Sequence, residues 1–241
     1  LEEIEPDNVL FGIPIAIKDN IVTKNLTTTC ASKMLADFNP IYDATVVERI
    51  KKANMIIIGK TNMDEFAMGS TGETSYFGNT LNPWNHRMVT GGSSSGSACS
   101  VSARLVPCAL GSDTGGSIRQ PSSFCGIVGL KPTYGRVSRH GLIAFASSLD
   151  AIGPMTKNVS DNALLLNILA GYDDNDYTSS KKPVDDYTSL IGADVSGLKI
   201  AVPTYYMSDQ IDFEVREKIS DVMDMLKAHG CQVDLVEMNY L

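Results

Sequence analysis

The chain has 241 residues, 43% of them hydrophobic and 20% charged, proportions that supply enough apolar surface for a sizeable core. A net charge of −8 makes the chain a poor candidate for gripping phosphate backbones by itself, and does not exclude one that works beside a basic partner. The longest apolar runs, such as Met55–Ile58, are far too short to span a bilayer, and no charged segment followed by an apolar stretch marks a signal peptide.

In chain order, Phe11–Asp19 alternates with period two and is rich in β-branched residues, which predicts a strand. Asp43 reads as the N-cap of a helix running through Lys52, with Val46, Val47 and Ile50 as its apolar face. The run beginning at Met55 (MIIIGKT) predicts a buried strand. Asn62–Met68 predicts a short helix, followed by a polar loop to about Thr90. Gly91–Arg104 has a glycine-serine entrance and then a helix of small residues able to pack closely on a neighbour. Val106–Leu110 predicts a short strand, Gly111–Gly116 a loop, and Ser117–Phe124 a helical turn. A turn-rich apolar stretch follows (GIVGLKPTYGRVS), then a helix over about Ser160–Ala170. Tyr172–Ser196 is polar and aspartate-rich, as expected of a surface excursion or a linker. Leu198–Val202 predicts a strand. Phe213–His229 predicts an amphipathic helix with Val215, Ile219, Val222, Met223 and Leu226 on one face and Gly230 as its stop. CQVDLVEM predicts a last strand. Strands alternating with helices argue for an α/β fold. The chain begins at Leu1 and ends at Leu241, and both ends read as cut.

Five cysteines, an odd number without a CxxC pair, read as free thiols in a reducing compartment. His86, His140 and His229 are dispersed, so no zinc site is expected. GGSSSGSAC lacks the lysine of a phosphate-binding loop. Gly92–Gly96 fits the G-x-S-x-G nucleophile elbow, but neither later histidine, His140 or His229, sits in a clear strand-end loop to complete that triad. A flexible linker is unsuited to Gly91–Ser97, which runs straight into an apolar stretch.

Three residues in unusual contexts remain: Lys18 in GIPIAIKDN, Ser93 in TGGSSSGSA, and Ser117 in LGSDTGGSIRQP. A serine hydroxyl is a weak nucleophile and needs a base. Lysine serves only when neutral, and burial after an apolar strand lowers its pKa. Two glycines before Ser117 expose backbone N–H groups that can hold a developing oxyanion.

These residues resemble the amidase signature family. GGSSSGSACSVSARLVPCALGSDTGGSIRQP is similar to its glycine- and serine-rich core, and GIPIAIKDN to its lysine strand. The resemblance implies an amidase signature fold, a central mixed β-sheet flanked by helices, with residues 1–241 forming one domain truncated at both ends and holding only the N-terminal part. It implies Ser117 as nucleophile, Lys18 as base, and Ser93, joined through a cis peptide, as the relay between them. Thr114, Gly115, Gly116 and Ser117 become candidate oxyanion donors, and Met68, Asp113 and Arg119 candidate substrate contacts. Ser95 stands where the family usually has glycine.

Within the family, NMDEFAMGSTGETSYFGNTLNPW and KPTYGRVSRHGLIAFASSLDAIGP are similar to the glutaminase subunits of tRNA-dependent amidotransferases. That similarity implies glutamine as substrate and ammonia delivered for amidation of Glu-tRNA(Gln) or Asp-tRNA(Asn). It also implies the B and C subunits of such an amidotransferase as partners, the B subunit holding tRNA, ATP and Mg and the C subunit being small. No cofactor or metal is implied in this chain, and the setting implied is cytoplasmic or organellar. The alternative is a stand-alone amidase acting on a small or fatty amide; a non-catalytic scaffold subunit is disfavoured by the intact trio.

Overall fold

The computed structural model describes residues 8–238, which divide into two compact units meeting at Ser189/Leu190. The division falls inside the aspartate-rich stretch expected to be an excursion or linker.

The first unit is built on a five-stranded mixed sheet in the order β2-β1-β3-β5-β4. Strand β1 (Pro14–Lys18) lies between β2 (Ile56–Thr61) and β3 (Cys108–Asp113), parallel to both. Strand β5 (Ala151–Thr156) runs antiparallel to β3 and to the short β4 (Val128–Gly129). Alternation along β1 sorts its side chains between the two faces. Ile15 and Ile17 join a core made by α1 (Thr45–Lys52) and α4 (Val159–Leu169), whereas Ala16 packs with Val101 of α2 (Ser95–Ser102) and with Ala109. Lys18, two positions beyond Ala16, follows it on the period toward the face that carries α2. Helix α3 (Arg119–Phe124) closes this half of the unit.

Strand β5 has no counterpart in the sequence-based expectation, because glycine and proline inside AIGPMT argue against a strand. All six of its residues are buried. Gly153 is required there: a side chain would overlap the Leu130 carbonyl oxygen. Pro154 keeps a useful acceptor, since its carbonyl takes the Leu130 N–H at 3.1 Å.

Other expectations are corrected. β2 is an edge strand, with Ile56 and Ile58 more than half exposed. The N-cap of α1 is Ala44, not Asp43. The Asp43 carboxylate instead accepts the Lys24 N–H and pairs with Lys51. Asn62–Met68 forms only a 3-10 turn at Glu65–Ala67, because the Asp64 carboxylate gathers the amides of Gly72, Glu73 and Thr74 into a loop. Strand β3 extends through Asp113 into the expected loop.

The second unit is a β-α-β element: β6 (Lys199–Pro203), α5 (Phe213–Ala228) and β7 (Gln232–Val236), the two strands parallel. The Asp212 side chain caps α5 by accepting the Glu214 N–H, and Gly230, with φ +82°, follows the helix end. Met223 is buried, but Val215 and Val222 of the predicted apolar face are about half exposed.

Candidate active site

Lys18 ends β1 and is completely buried. Its Nζ donates to Ser93 Oγ at 2.7 Å, to Ser112 Oγ at 2.9 Å and to the Ser112 carbonyl at 3.3 Å. Burial pushes its pKa down from 10.5 to about 7, with Asp113, Asp64, Cys30 and Asp150 pulling back the other way. The neutral amine is therefore well populated near neutral pH, where a surface lysine would be almost wholly charged. The neighbouring Cys30 thiol is pushed up to about 12 by burial and by Asp19, so it stays protonated and does not compete.

Ser93 opens the approach to α2, is fully buried, and is joined to Gly92 by a cis peptide. Its loop is tied on three sides. The Asp64 N–H donates to the Ser93 carbonyl at 3.2 Å, the Ser94 N–H donates to the Ser117 carbonyl at 3.1 Å, and the Gly92 N–H donates to Gln120 Oε1 at 3.2 Å. The second and third ties bind the Ser93 loop to the Ser117 loop through backbone and Gln120 contacts; among the described residues the Ser93 and Ser117 hydroxyls share no hydrogen bond. Ser95 is the first residue of α2, outside the positive-φ region, so serine costs nothing in backbone strain there.

Ser117 lies between Gly116, at φ +131°, and α3. It lines a cleft of about 350 Å³ together with Gly92, Gly115, Gly116, Gln120 and Phe145. Behind it, the fully buried Asp113 organises the turn. Its carboxylate accepts the amides of Gly116 at 2.8 Å and Ile118 at 3.0 Å, and pairs with the Arg119 guanidinium. Burial alone would raise the Asp113 pKa, but Arg119 and these amides together hold it below the usual carboxylate range. The Gly116 N–H is thus committed to Asp113. Among the described residues, the Thr114, Gly115 and Ser117 amides meet no acceptor within the protein, which leaves them available to an oxyanion. The Thr114 hydroxyl is itself anchored to Asp150, which also takes the amides of Phe145 and Ala146.

Among the three candidate substrate contacts, the buried Asp113 carboxylate pairs with Arg119, whose side chain is more than half exposed. Met68 is exposed beside residues that line the cleft, Ala67 and Gly69, without lining it itself. None of the histidines joins the site: His140 packs on Tyr42, the His229 ring meets the Met225 carbonyl, and His86 is exposed. Reading by motif misses four contributors that lie inside or near the motifs. Ser112 and Asn20 sit behind the lysine, Asp64 under Gly92, and Gln120 between the loops. Their residue types are ordinary, and only their placement reveals them.

Comparison with known proteins supplies an independent view. The family model described as amidase matches residues 2–241. The A subunit of glutamyl-tRNA(Gln) amidotransferase from Pediococcus pentosaceus is 61% identical over 235 residues, covering 98% of this chain and 48% of that protein. Its counterpart from Staphylococcus epidermidis is 59% identical over 234 residues, covering 96% and 48%. The crystal structure of the glutamyl-tRNA(Gln) amidotransferase A subunit from Thermotoga maritima superposes with a TM-score of 0.92 at 52% identity, covering 95% of this chain and 50% of that one. A native peptide amidase from Stenotrophomonas maltophilia gives 0.87 at 36% identity, covering 95% and 48%. The chain spans about half the length of the curated relatives it matches. Among the described residues no helix is long and apolar enough to cross a membrane.

Proposed function

Because the chain belongs to the amidase family, we propose that it carries the glutamine-hydrolysing centre of a tRNA-dependent amidotransferase. The observation that carries this reading is the 2.7 Å contact between Ser93 Oγ and a fully buried lysine whose pKa lies at about 7. The neutral Lys18 amine takes the Ser93 proton as Ser93 takes the proton of Ser117. Ser117 Oγ then attacks the side-chain amide carbon of glutamine. The oxyanion settles against the amides of Thr114, Gly115 and Ser117. When the C–N bond breaks, the proton returns through Ser93 to the leaving nitrogen, and ammonia departs. Water, activated by the same relay, cleaves the glutamyl ester on Ser117 and frees glutamate.

The high identity to amidotransferase A subunits supports glutamine over other amides. In this reading the ammonia passes to the partner B subunit, which holds ATP, Mg and Glu-tRNA(Gln) or Asp-tRNA(Asn), with the small C subunit completing the assembly. An acidic chain suits that division, since tRNA binding is left to the partner. A reaction on aminoacyl-tRNA belongs where translation runs, in the cytoplasm or an organelle.

The test is made on a chain carried to the full length of those relatives, assembled with its partner subunits. Ser117→Ala should abolish ammonia release from glutamine, because no acyl-enzyme can form. Amidation of the misacylated tRNA should survive in that variant when free ammonia is supplied. Retained glutaminase activity in Ser117→Ala would overturn the assignment. Hydrolysis of small or fatty amides in preference to glutamine would move it to a stand-alone amidase.

A further inference from the structure

Behind Lys18 sits a second layer of polar groups that the mechanism above does not use. Ser112 Oγ, 2.9 Å from Lys18 Nζ, is also 2.9 Å from the Asn20 side-chain amide nitrogen. Asn20 is 2% exposed, and among the described residues its Oδ1 has no hydrogen-bond partner. A buried carbonyl oxygen left unpaired is uncommon and calls for an explanation.

Proton counting supplies one. A charged Lys18 has three N–H groups and faces three acceptors: Ser93 Oγ, Ser112 Oγ and the Ser112 carbonyl. A neutral lysine has two N–H groups and one lone pair. To act on Ser93 the lone pair must face Ser93, so both N–H groups must go to Ser112. That requires Ser112 Oγ to accept from the lysine and to send its own proton elsewhere. With the Asn20 nitrogen facing it, Ser112 can instead turn its O–H onto the lysine and occupy the lone pair. With the amide rotated by 180°, an exchange that leaves its shape almost unchanged, the Asn20 oxygen accepts the Ser112 proton and the lysine lone pair is left to Ser93.

We propose that Asn20 is a positioning residue for the base: its amide sets the direction of the Ser112 hydroxyl, and so decides whether neutral Lys18 faces Ser93. This rests on the reading of Lys18 as the base. The backbone of Asn20 has a separate duty, since its carbonyl accepts the Ile143 N–H, and side-chain substitution leaves that bond in place.

The test uses the full-length protein with its partner subunits and follows glutaminase kcat and KM across pH. Asn20→Asp offers Ser112 only acceptors and adds a negative charge. Asn20 and Lys18 touch the same oxygen at 2.9 Å each, so they lie at most about 6 Å apart. A carboxylate at that range favours the charged lysine, and the acidic limb of kcat should move up by about 1–3 pH units. The other groups facing Lys18, namely Asp113, Asp64, Cys30 and Asp150, and the Asp19–Lys60 pair next along the chain, are unchanged in this variant, so the movement measures how strongly position 20 reaches Lys18.

Asn20→Ala should lower kcat about tenfold or more with KM unchanged, and this loss should disappear when Ser112 is already alanine, because Asn20 acts only through that hydroxyl. A purely structural role predicts additive losses in the double variant, and that result overturns the inference; an unmoved midpoint in Asn20→Asp would show that position 20 does not reach Lys18 and overturns it as well. Should Asn20→Ala fail to fold, the same cycle with Ser112→Ala is run on Asn20→Ser, and additive losses there overturn the inference. A Lys18→Ala protein that keeps its activity would overturn the underlying reading and this inference with it. An inactive Lys18→Ala together with additive losses in the double variant, or with an unmoved midpoint in Asn20→Asp, overturns this inference only.

Discussion

Replacing Lys18 by methionine tests the buried base through stability rather than activity. Methionine keeps a side chain of similar length and removes the amine. In the folded protein the lysine pKa falls from 10.5 to about 7, which at about 1.4 kcal/mol per pH unit is about 5 kcal/mol against holding the charged form in the fold. Below the folded value of about 7, lysine is charged in both folded and unfolded chains, and the whole cost stands. Between about 7 and 10.5 the unfolded chain holds a proton that the folded chain does not, so stability rises with pH. Above 10.5 the cost has gone. Methionine carries no such cost but leaves Ser93 Oγ without its lysine partner, a loss of about 1–3 kcal/mol. Ser112 Oγ keeps Asn20, and the Ser112 carbonyl keeps Ser94 Oγ. Lys18→Met should therefore be inactive yet more stable than the parent by about 2–4 kcal/mol below about pH 7. The advantage should shrink by about 1.4 kcal/mol per pH unit above that. Urea denaturation of both proteins at a series of pH values from about 6 to about 9 measures the difference. A difference that stays flat across this range would mean that Lys18 titrates at its ordinary value, and the neutral-base mechanism would fall.

Gly92→Ala should disable the site, since an added Cβ would overlap Asp64 Oδ2. That carboxylate is fixed by the Gly72 and Glu73 amides and cannot step aside. Glutaminase assays should show at least about a hundredfold loss, and near-normal turnover would show that the loop adapts. The wild-type acidic limb of kcat/KM should have its midpoint near the lysine value of about 7, falling tenfold per pH unit below it; a midpoint near the usual carboxylate range would point to another base. The 241-residue chain alone should release no ammonia from glutamine beside a chain of its relatives' full length. Among the described residues the lining of its cleft includes no basic side chain to hold the substrate α-carboxylate, and positioning is worth up to about 7–11 kcal/mol of a barrier. Equal rates would place substrate recognition within these residues, with Met68, Asp113 and Arg119 the first to examine.

Lys18, Ser93, Ser117 and most of the elements are legible in the local sequence pattern. Lys18 after an alternating apolar strand, and serines set among glycines, are local patterns, because a strand's period and a glycine's freedom are written within a few neighbouring residues. The same locality explains the failures. Strand β5 carries a glycine and a proline that argue locally against a strand and exists because β3 and β4 pair with it on either side. The short helix expected over Asn62–Met68 gives way to the amides that Asp64 gathers from several residues downstream. Asp43 is drawn from its capping position by Lys24 and Lys51.

The chemistry of the lysine is likewise decided only by tertiary structure. A pKa depends on what surrounds a charge in space, and Lys18 is enclosed by Ser93 and Ser112, respectively 75 and 94 positions away. Residue type supplies an amine with an ordinary pKa of 10.5. Complete burial at the end of a central strand, against Ser93 from a loop and Ser112 from the neighbouring β3, lowers the pKa of that amine toward neutral pH.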